Sequence, residues 1–170
     1  MGVMSGNPKN EPLHYGEVIG IWAYVAANNG LISMYESFVN HAGDKDLVTA
    51  LEDQIKMMKN ENTTIEKVLK ENGVNPPPTL PSRGKASAEE VPQGARFMDP
   101  EIAAIMAANA GQGLVSCSQV LGQCFREDVA MHFMKFHADR ASAGGQLLRL
   151  TKEKGWLIMP PLHQQNKQES

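Results

Sequence analysis

Between residues 74 and 98 the chain loses all helical period and carries Pro76, Pro77, Pro78, Pro81 and Pro92 together with Gly84 and Gly94. Proline cannot continue a helix, because it lacks the amide donor and its ring clashes with the preceding turn. Two long stretches of helical period lie on each side, so this interruption governs how they can pack. A structureless connection of such length is rare unless it has a distance to cover. A helix of ~28 residues is ~42 Å long at ~1.5 Å per residue. Extended chain, at ~3.3 Å per residue, covers that distance over 74–98 with slack. The segment is therefore expected to travel the whole length of a bundle and to join helices 2 and 3 as a crossover.

The first helical stretch, about Leu13 to Ala42, sets Val18, Ile21, Val25, Ile32, Tyr35 and Val39 on one stripe. The second, about Lys45 to Asn72, does so with Leu47, Leu51, Met58, Ile65, Val68 and Leu69. Gly43 separates the two, Asp44 is placed to cap the second, and Gly73 is placed to end it in the left-handed conformation. Asp99-Pro100-Glu101 reads as an N-cap and a proline start for the third helix, which is expected to reach about Phe125. The fourth runs from about Arg126 to Lys154, with Val129, Phe133, Phe136, Leu147 and Leu150 inward and Gly155 as the stop. Short loops make helices 1 and 2, and helices 3 and 4, antiparallel neighbours. The expected fold is all-α, a ferritin-like four-helix bundle over 13–159 with 74–98 as the crossover. A flexible N-terminus over 1–12 and a polar C-terminal tail over 160–170 flank it. The two hairpins leave through similar sequences: Lys70-Glu71-Asn72-Gly73 precedes Pro76-Pro77, and Lys152-Glu153-Lys154-Gly155 precedes Pro160-Pro161. Either an internal duplication or shared C-capping chemistry accounts for the echo.

Composition narrows the function classes. The 170 residues suit one domain, and 42% hydrophobic with 21% charged residues excludes a disordered chain. A net charge of −3 supplies no general attraction to nucleic acid. No apolar run is long enough to span a membrane, and residues 1–11 lack the apolar core of a secretory signal. A reducing, cytoplasmic setting is expected. Cys117 and Cys124 are the only cysteines. Seven residues apart on one face of helix 3, they would lie ~10.5 Å apart, beyond disulfide reach. They read as small core fillers, with a reactive thiol as the alternative.

A bundle of this topology can hold a carboxylate-bridged metal pair, which needs Glu-x-x-His on two helices so that both side chains aim at one site. No glutamate here has a histidine three residues later. His132 and His137 are five apart and point ~140° away from each other on a helical wheel. No phosphate loop, nucleophile elbow or zinc pattern occurs. The sequence therefore offers no catalytic residue, no metal ligand set and no cofactor site, and the chain reads as a non-enzyme. The interior stripes nonetheless carry polar residues near mid-helix: Asn28, Gln54, Glu61, Asn109 and Arg140. In an antiparallel bundle midpoints share a height, so a central polar layer is expected, with Glu61 or Gln54 facing Arg140. The alternative has Arg140 snorkelling past the bundle edge and Glu61 in water. Helix 3 is rich in alanine and glycine (Ala103, Ala104, Ala107, Ala108, Ala110, Gly111, Gly113), which suits close packing within the chain or a seam with a second copy. Trp156, just past the last helix stop, either serves an interface or folds back over its own bundle.

Arg126-Glu127-Asp128-Val129, Phe133, Leu147-Leu148, Glu153-Lys154-Gly155-Trp156 and Pro160-Pro161 resemble the final helix and exit of an uncharacterised family of endospore-forming bacteria. Glu17-Val18, Trp22 with Tyr24, and Glu71-Asn72-Gly73 fit it as well. Members have one or two ferritin-like four-helix units, and some are described as candidate spore coat proteins. Lys154-Gly155-Trp156 is also similar to the corresponding stretch of spore coat protein F. Relatives of coat protein F carry inward histidines where helix 2 here has Glu61. The resemblance implies a fold and a cellular setting, and no catalytic residues. It favours a structural or interaction protein of the spore coat or of the sporulating cell, with other spore coat proteins or a second copy in a homodimer as the expected partners. The alternative is a ferritin-like metal-binding or oxidase remnant built from Glu36, Glu61, Asp128 and His132.

Overall fold

The computed structural model describes residues 11–163. Most of the expected flexible N-terminus and the Gln164–Ser170 stretch of the polar tail lie outside the described residues. Within them the chain forms α1 (Tyr15–His41), α2 (Lys45–Glu71), α3 (Asp99–Leu121) and α4 (Glu127–Glu153), with one short 3-10 turn at Ala88–Glu90. No strand occurs among the described residues.

Local chemistry sets the helix ends. At the start of α1, His14 Nδ1 accepts from the Gly16 amide at 2.9 Å while Glu17 reaches back to the His14 amide at 3.1 Å. The proton of that imidazole therefore sits on Nε2, which donates to the Gln123 carbonyl at 2.8 Å. Asp44 caps α2 by accepting from the amides of Asp46 and Leu47. Gly73 and Gly155 close α2 and α4 at φ of 73° and 71°, where a Cβ would be strained. At both exits the amide beyond the glycine returns five residues, Val74 to Leu69 and Trp156 to Thr151, each at 2.9 Å. The echo in sequence is thus one capping motif used twice.

Two local expectations are corrected. Met98, not Asp99, is the residue before the first turn of α3, and Glu101 accepts from the Met98 amide at 2.7 Å. The Asp99 carboxylate instead accepts from the Gly43 and Asp44 amides at 2.8 and 3.1 Å, tying the α1–α2 turn to the start of α3. α3 also ends at Leu121, short of Phe125, because Gly122 caps it and a turn follows. Cys124 therefore lies in the α3–α4 connection, and the two free cysteines do not share one helix face.

α1 and α2 form one antiparallel pair and α3 and α4 the other, each pair packed more extensively than the two seams that join them. The crossover climbs α1 by hydrogen bonds at successive heights: Trp22 Nε1 to the Asn75 carbonyl, Asn29 Nδ2 to Pro78, Arg83 Nε to Ser33, Asn40 Nδ2 to Gly84, and Arg96 Nε to His41. Val74 and Met98 are thus at opposite ends, and α2 and α3 run parallel. Gln123 meets His14 at the lower end, and Lys154 meets Asp44 and Asp46 at the upper end. The core falls into two apolar clusters. The lower one centres on Ile21, Val25, Ile65, Leu69, Val129 and Phe133, the upper on Tyr35, Leu47, Leu51, Met58, Ile102 and Met106. What lies between them is polar.

Candidate functional site

Arg140 enters the bundle from α4 at mid-height and is only 6% exposed. Its Nη2 donates to Glu61 Oε2 of α2 at 2.5 Å and to Asn28 Oδ1 of α1 at 2.9 Å. Its Nε donates to Tyr24 Oη at 2.9 Å and to Glu61 Oε1 at 3.2 Å. Glu61, 3% exposed, also accepts from the Tyr24 hydroxyl at 2.9 Å and from Asn28 Nδ2 at 3.2 Å. The guanidinium carbon stands 5.2 Å from the centre of the Tyr24 ring, which adds a cation–π contact. α3 makes room for the charge: a Cβ on Gly113 would sit 2.5 Å from Arg140 Nη1. One turn below, Cys117 Sγ lies 3.4 Å from Tyr24 Oη.

The cluster does not stop at the ion pair. Asn28 Nδ2 donates to Asn62 Oδ1, Asn62 Nδ2 to Asn29 Oδ1, and Asn29 Nδ2 to the Pro78 carbonyl, at 2.9, 2.9 and 3.1 Å. A relay of amides therefore carries the orientation of the buried pair out to the crossover. Among the described residues no buried side-chain nitrogen or oxygen lacks a hydrogen-bond partner. Electrostatics follow from this closure. Burial pushes the Tyr24 phenol well above its ordinary range, and burial likewise raises the Cys117 thiol. Burial also works against the Arg140 charge, but the negative character of its neighbours outweighs it and holds the guanidinium protonated. Tyr24 and Cys117 are thus neutral donors, not nucleophiles, near neutral pH.

A second buried charge cluster closes the lower end. Glu17, 1% exposed, accepts from the amides of Phe125 and Arg126 at 2.8 and 2.9 Å, capping the start of α4 from α1. Arg126 holds Asp128 through two bonds of 3.0 and 2.6 Å and reaches Asn72 Oδ1 at 3.1 Å. The Arg126 hydrogen bonds hold the Asp128 carboxyl below its ordinary range.

Of the residues singled out from sequence, Arg140, Glu61 and Asn28 come together. Gln54 does not join them. It is half-buried in a groove between α2 and α4, beside Asp53, Met57, Asp139, Ser142 and Gln146. Asn109 stands one turn above Gly113 and donates weakly to Tyr35 Oη at 3.5 Å. Trp156 is half-buried against the upper core cluster, where it ends a groove of about 470 Å³ between α3 and α4. Glu36 pairs with Lys59 at 2.8 Å and Asp128 with Arg126, while His132 stacks on Phe136. No group of three or more His, Cys, Asp or Glu side chains converges in metal-binding fashion among the described residues. Sequence reasoning did not single out Asn62, and it met Tyr24, Glu17 and Arg126 only through the family resemblance, without assigning them to a buried site. Tyr24 lies one turn before Asn28 on the α1 stripe, and that spacing was the available signal.

The model of the family described as "Protein of unknown function (DUF3231)" matches residues 1–168. The chain belongs to this family. It is 48% identical over 170 residues to the uncharacterised protein YvdQ of Bacillus subtilis (strain 168), covering all of both chains. It is similar to a crystal structure from Bacillus halodurans C-125 described as a "putative spore coat protein" (BH2358). There the TM-score is 0.92 at 50% identity, over 94% of this chain and all of that one. A conserved hypothetical protein from Mycobacterium tuberculosis, rv2844, shares the fold with a TM-score of 0.64 at 12% identity, over 81% of this chain and 98% of that one. No described helix of this DUF3231 member is long and apolar enough to cross a membrane.

Proposed function

We propose that this DUF3231 member is a non-catalytic structural component of the sporulating cell, deposited on the spore coat. The observation that carries the reading is the state of the bundle centre. Where a ferritin-like protein would hold metal ions among carboxylates, this interior sets one guanidinium against one carboxylate and engages the polar groups with one another. A centre of this kind favours register and rigidity over chemistry, because any slip of one helix would strand a buried charge. The described name of the Bacillus halodurans relative supplies the cellular setting. Other coat proteins and further copies of this chain are the partners such a role requires.

A fluorescent fusion followed through sporulation tests the role. Accumulation as a shell around the forespore, with recovery of the protein in coat extracts of purified spores, is the expected result. Diffuse signal throughout sporulation, with none in the coat fraction, would overturn it. Metal analysis of the purified protein supplies the second arm: stoichiometric iron, manganese or zinc would replace this reading with a metal-binding one.

A further inference from the structure

The crossover does more than span the bundle, because it fixes two cations at the groove between α1 and α2. Arg83 is anchored to α1 twice: its Nε donates to the Ser33 carbonyl at 3.1 Å and its amide to Glu36 Oε2 at 3.2 Å. Asn40 of α1 then holds the backbone on both sides of Lys85. Its Nδ2 donates to the Gly84 carbonyl at 2.8 Å and its Oδ1 accepts from the Ala86 amide at 3.0 Å. α2 contributes Lys56 and Lys59 to the same groove, and Val39, Ile55 and the aliphatic stems of the lysines supply its apolar lining. The groove measures about 480 Å³, within the range of roughly 300–1,000 Å³ that small-molecule sites occupy. Lys59 pairs with Glu36 at 2.8 Å. Arg83, Lys85 and Lys56 have no ion-pair partner among the described residues.

We infer that this groove binds a small organic anion with an apolar body, of the medium-chain carboxylate class. Charge selects the occupant. Four cations line the groove against two carboxylates, Glu36 and Glu52, an excess of two positive charges in a chain whose net charge is −3. Like charges gathered at one place repel, and an anion set among them converts that repulsion into attraction. The other grooves do not compete for it. One groove between α2 and α4 is lined by Asp46, Asp53 and Asp139, which repel an anion, and the groove between α3 and α4 has no charged residue in its lining. An uncharged apolar ligand would favour the α3/α4 groove, so the charge and the apolar body together specify the α1/α2 site. The Nε of Arg83 is taken by Ser33, and its two Nη groups have no acceptor among the described residues. They are the donors that a carboxylate engages in pairs. The hydrogen bonds to Ser33, Glu36 and Asn40 order residues 83–86 before any ligand arrives, so binding loses little further conformational entropy.

Fluorescence titration of the full chain with 8-anilinonaphthalene-1-sulfonate, an anion with an apolar body, tests this inference, which stands whether or not the coat reading does. Saturable binding of one dye per chain is expected, weakening as salt is raised. Lys56→Gln combined with Lys85→Gln removes one cation from α2 and one from the crossover, and should weaken binding roughly tenfold. Arg83→Gln should do the same. Circular dichroism checks that each variant is folded, and where one groove variant fails to fold the other decides. Arg149→Gln combined with Lys152→Gln removes two charges at exposed sites on α4 and should leave binding unchanged. Decanoate should displace the dye at a concentration roughly tenfold or more below that of decanol, which has the same chain without the charge. Absence of saturable dye binding overturns the proposal. So does binding that survives the folded groove variants, an equal loss in the α4 variant, or equal displacement by decanol.

Discussion

Gly113→Ala is the smallest perturbation that separates a packed arginine layer from an ordinary helical core. Alanine normally improves a helix interior over glycine by ~0.5–1 kcal/mol. At Gly145, where a Cβ would meet nothing within 4 Å, that gain should appear in full. At Gly113 the new Cβ would lie 2.5 Å from Arg140 Nη1, 3.3 Å from Cδ and 3.4 Å from Cζ. Carbon contacts relax at about 3.5–4.0 Å, so the guanidinium must retreat by about 1 Å. That shift is large against bonds of 2.5–3.2 Å to Glu61 and 2.9 Å to Asn28 and Tyr24. Breaking a buried pair costs ~3–5 kcal/mol. Subtracting the helical gain leaves an expected loss of ~2–4 kcal/mol for Gly113→Ala. Urea unfolding followed by circular dichroism, at a protein concentration held fixed, measures both variants. In an Arg140→Ala background the clash is gone, and Gly113→Ala should then stabilise by ~0.5–1 kcal/mol. If Gly113→Ala in the wild-type chain stabilises as much as Gly145→Ala does, the guanidinium does not occupy that space and the reasoning fails.

Two further substitutions probe the ends of the bundle. Asp99→Ala should cost ~1–3 kcal/mol in urea unfolding, because two amides of the α1–α2 turn lose a charged acceptor; a change within ~0.5 kcal/mol would show that the tie contributes nothing. Asp128→Asn should cost ~1–3 kcal/mol at pH 7 by weakening the Arg126 contact. Since the folded-state pKa of Asp128 is lowered, its contribution is complete above the ordinary value of 3.8 and is lost as pH falls through the folded value. The unfolding curves of wild type and variant should therefore converge on acidification, and a gap that widens towards acid would contradict the assignment.

Much of this architecture was legible in sequence, for reasons that are local. Gly73, Gly155 and Asp44 announce helix ends because capping is decided within a few residues. The proline-rich 74–98 stretch announces a crossover because its length matches the distance it covers. Helical wheels place Arg140, Glu61 and Asn28 on the apolar stripes near mid-helix but leave a snorkelling Arg140 open, and the buried pair in the structure decides between the two. A wheel gives direction but not height, which is why Gln54 misled. It is seven residues from Glu61, ~10.5 Å along the axis, and cannot share its layer. Long-range capping was invisible for a different reason. Glu17 accepts from Phe125 and Arg126, and Asp99 from Gly43 and Asp44, across separations that no local pattern encodes. Asp99 in particular fits the N-cap of its own helix, and the tertiary acceptor role prevailed.

The central claim is that a buried arginine–glutamate pair occupies the middle of this bundle and holds its register. A double-mutant cycle on the two residues tests it most directly. Arg140→Met and Glu61→Leu should each cost ~3–5 kcal/mol in equilibrium unfolding, because each leaves the opposite charge buried without its partner. The double variant, with two apolar side chains of similar size, should lose much less than either single variant, and could even exceed the wild type in stability. An interaction energy of that sign and size is the predicted result. Single costs below ~0.5 kcal/mol, or a double loss equal to the sum of the singles, would contradict the account.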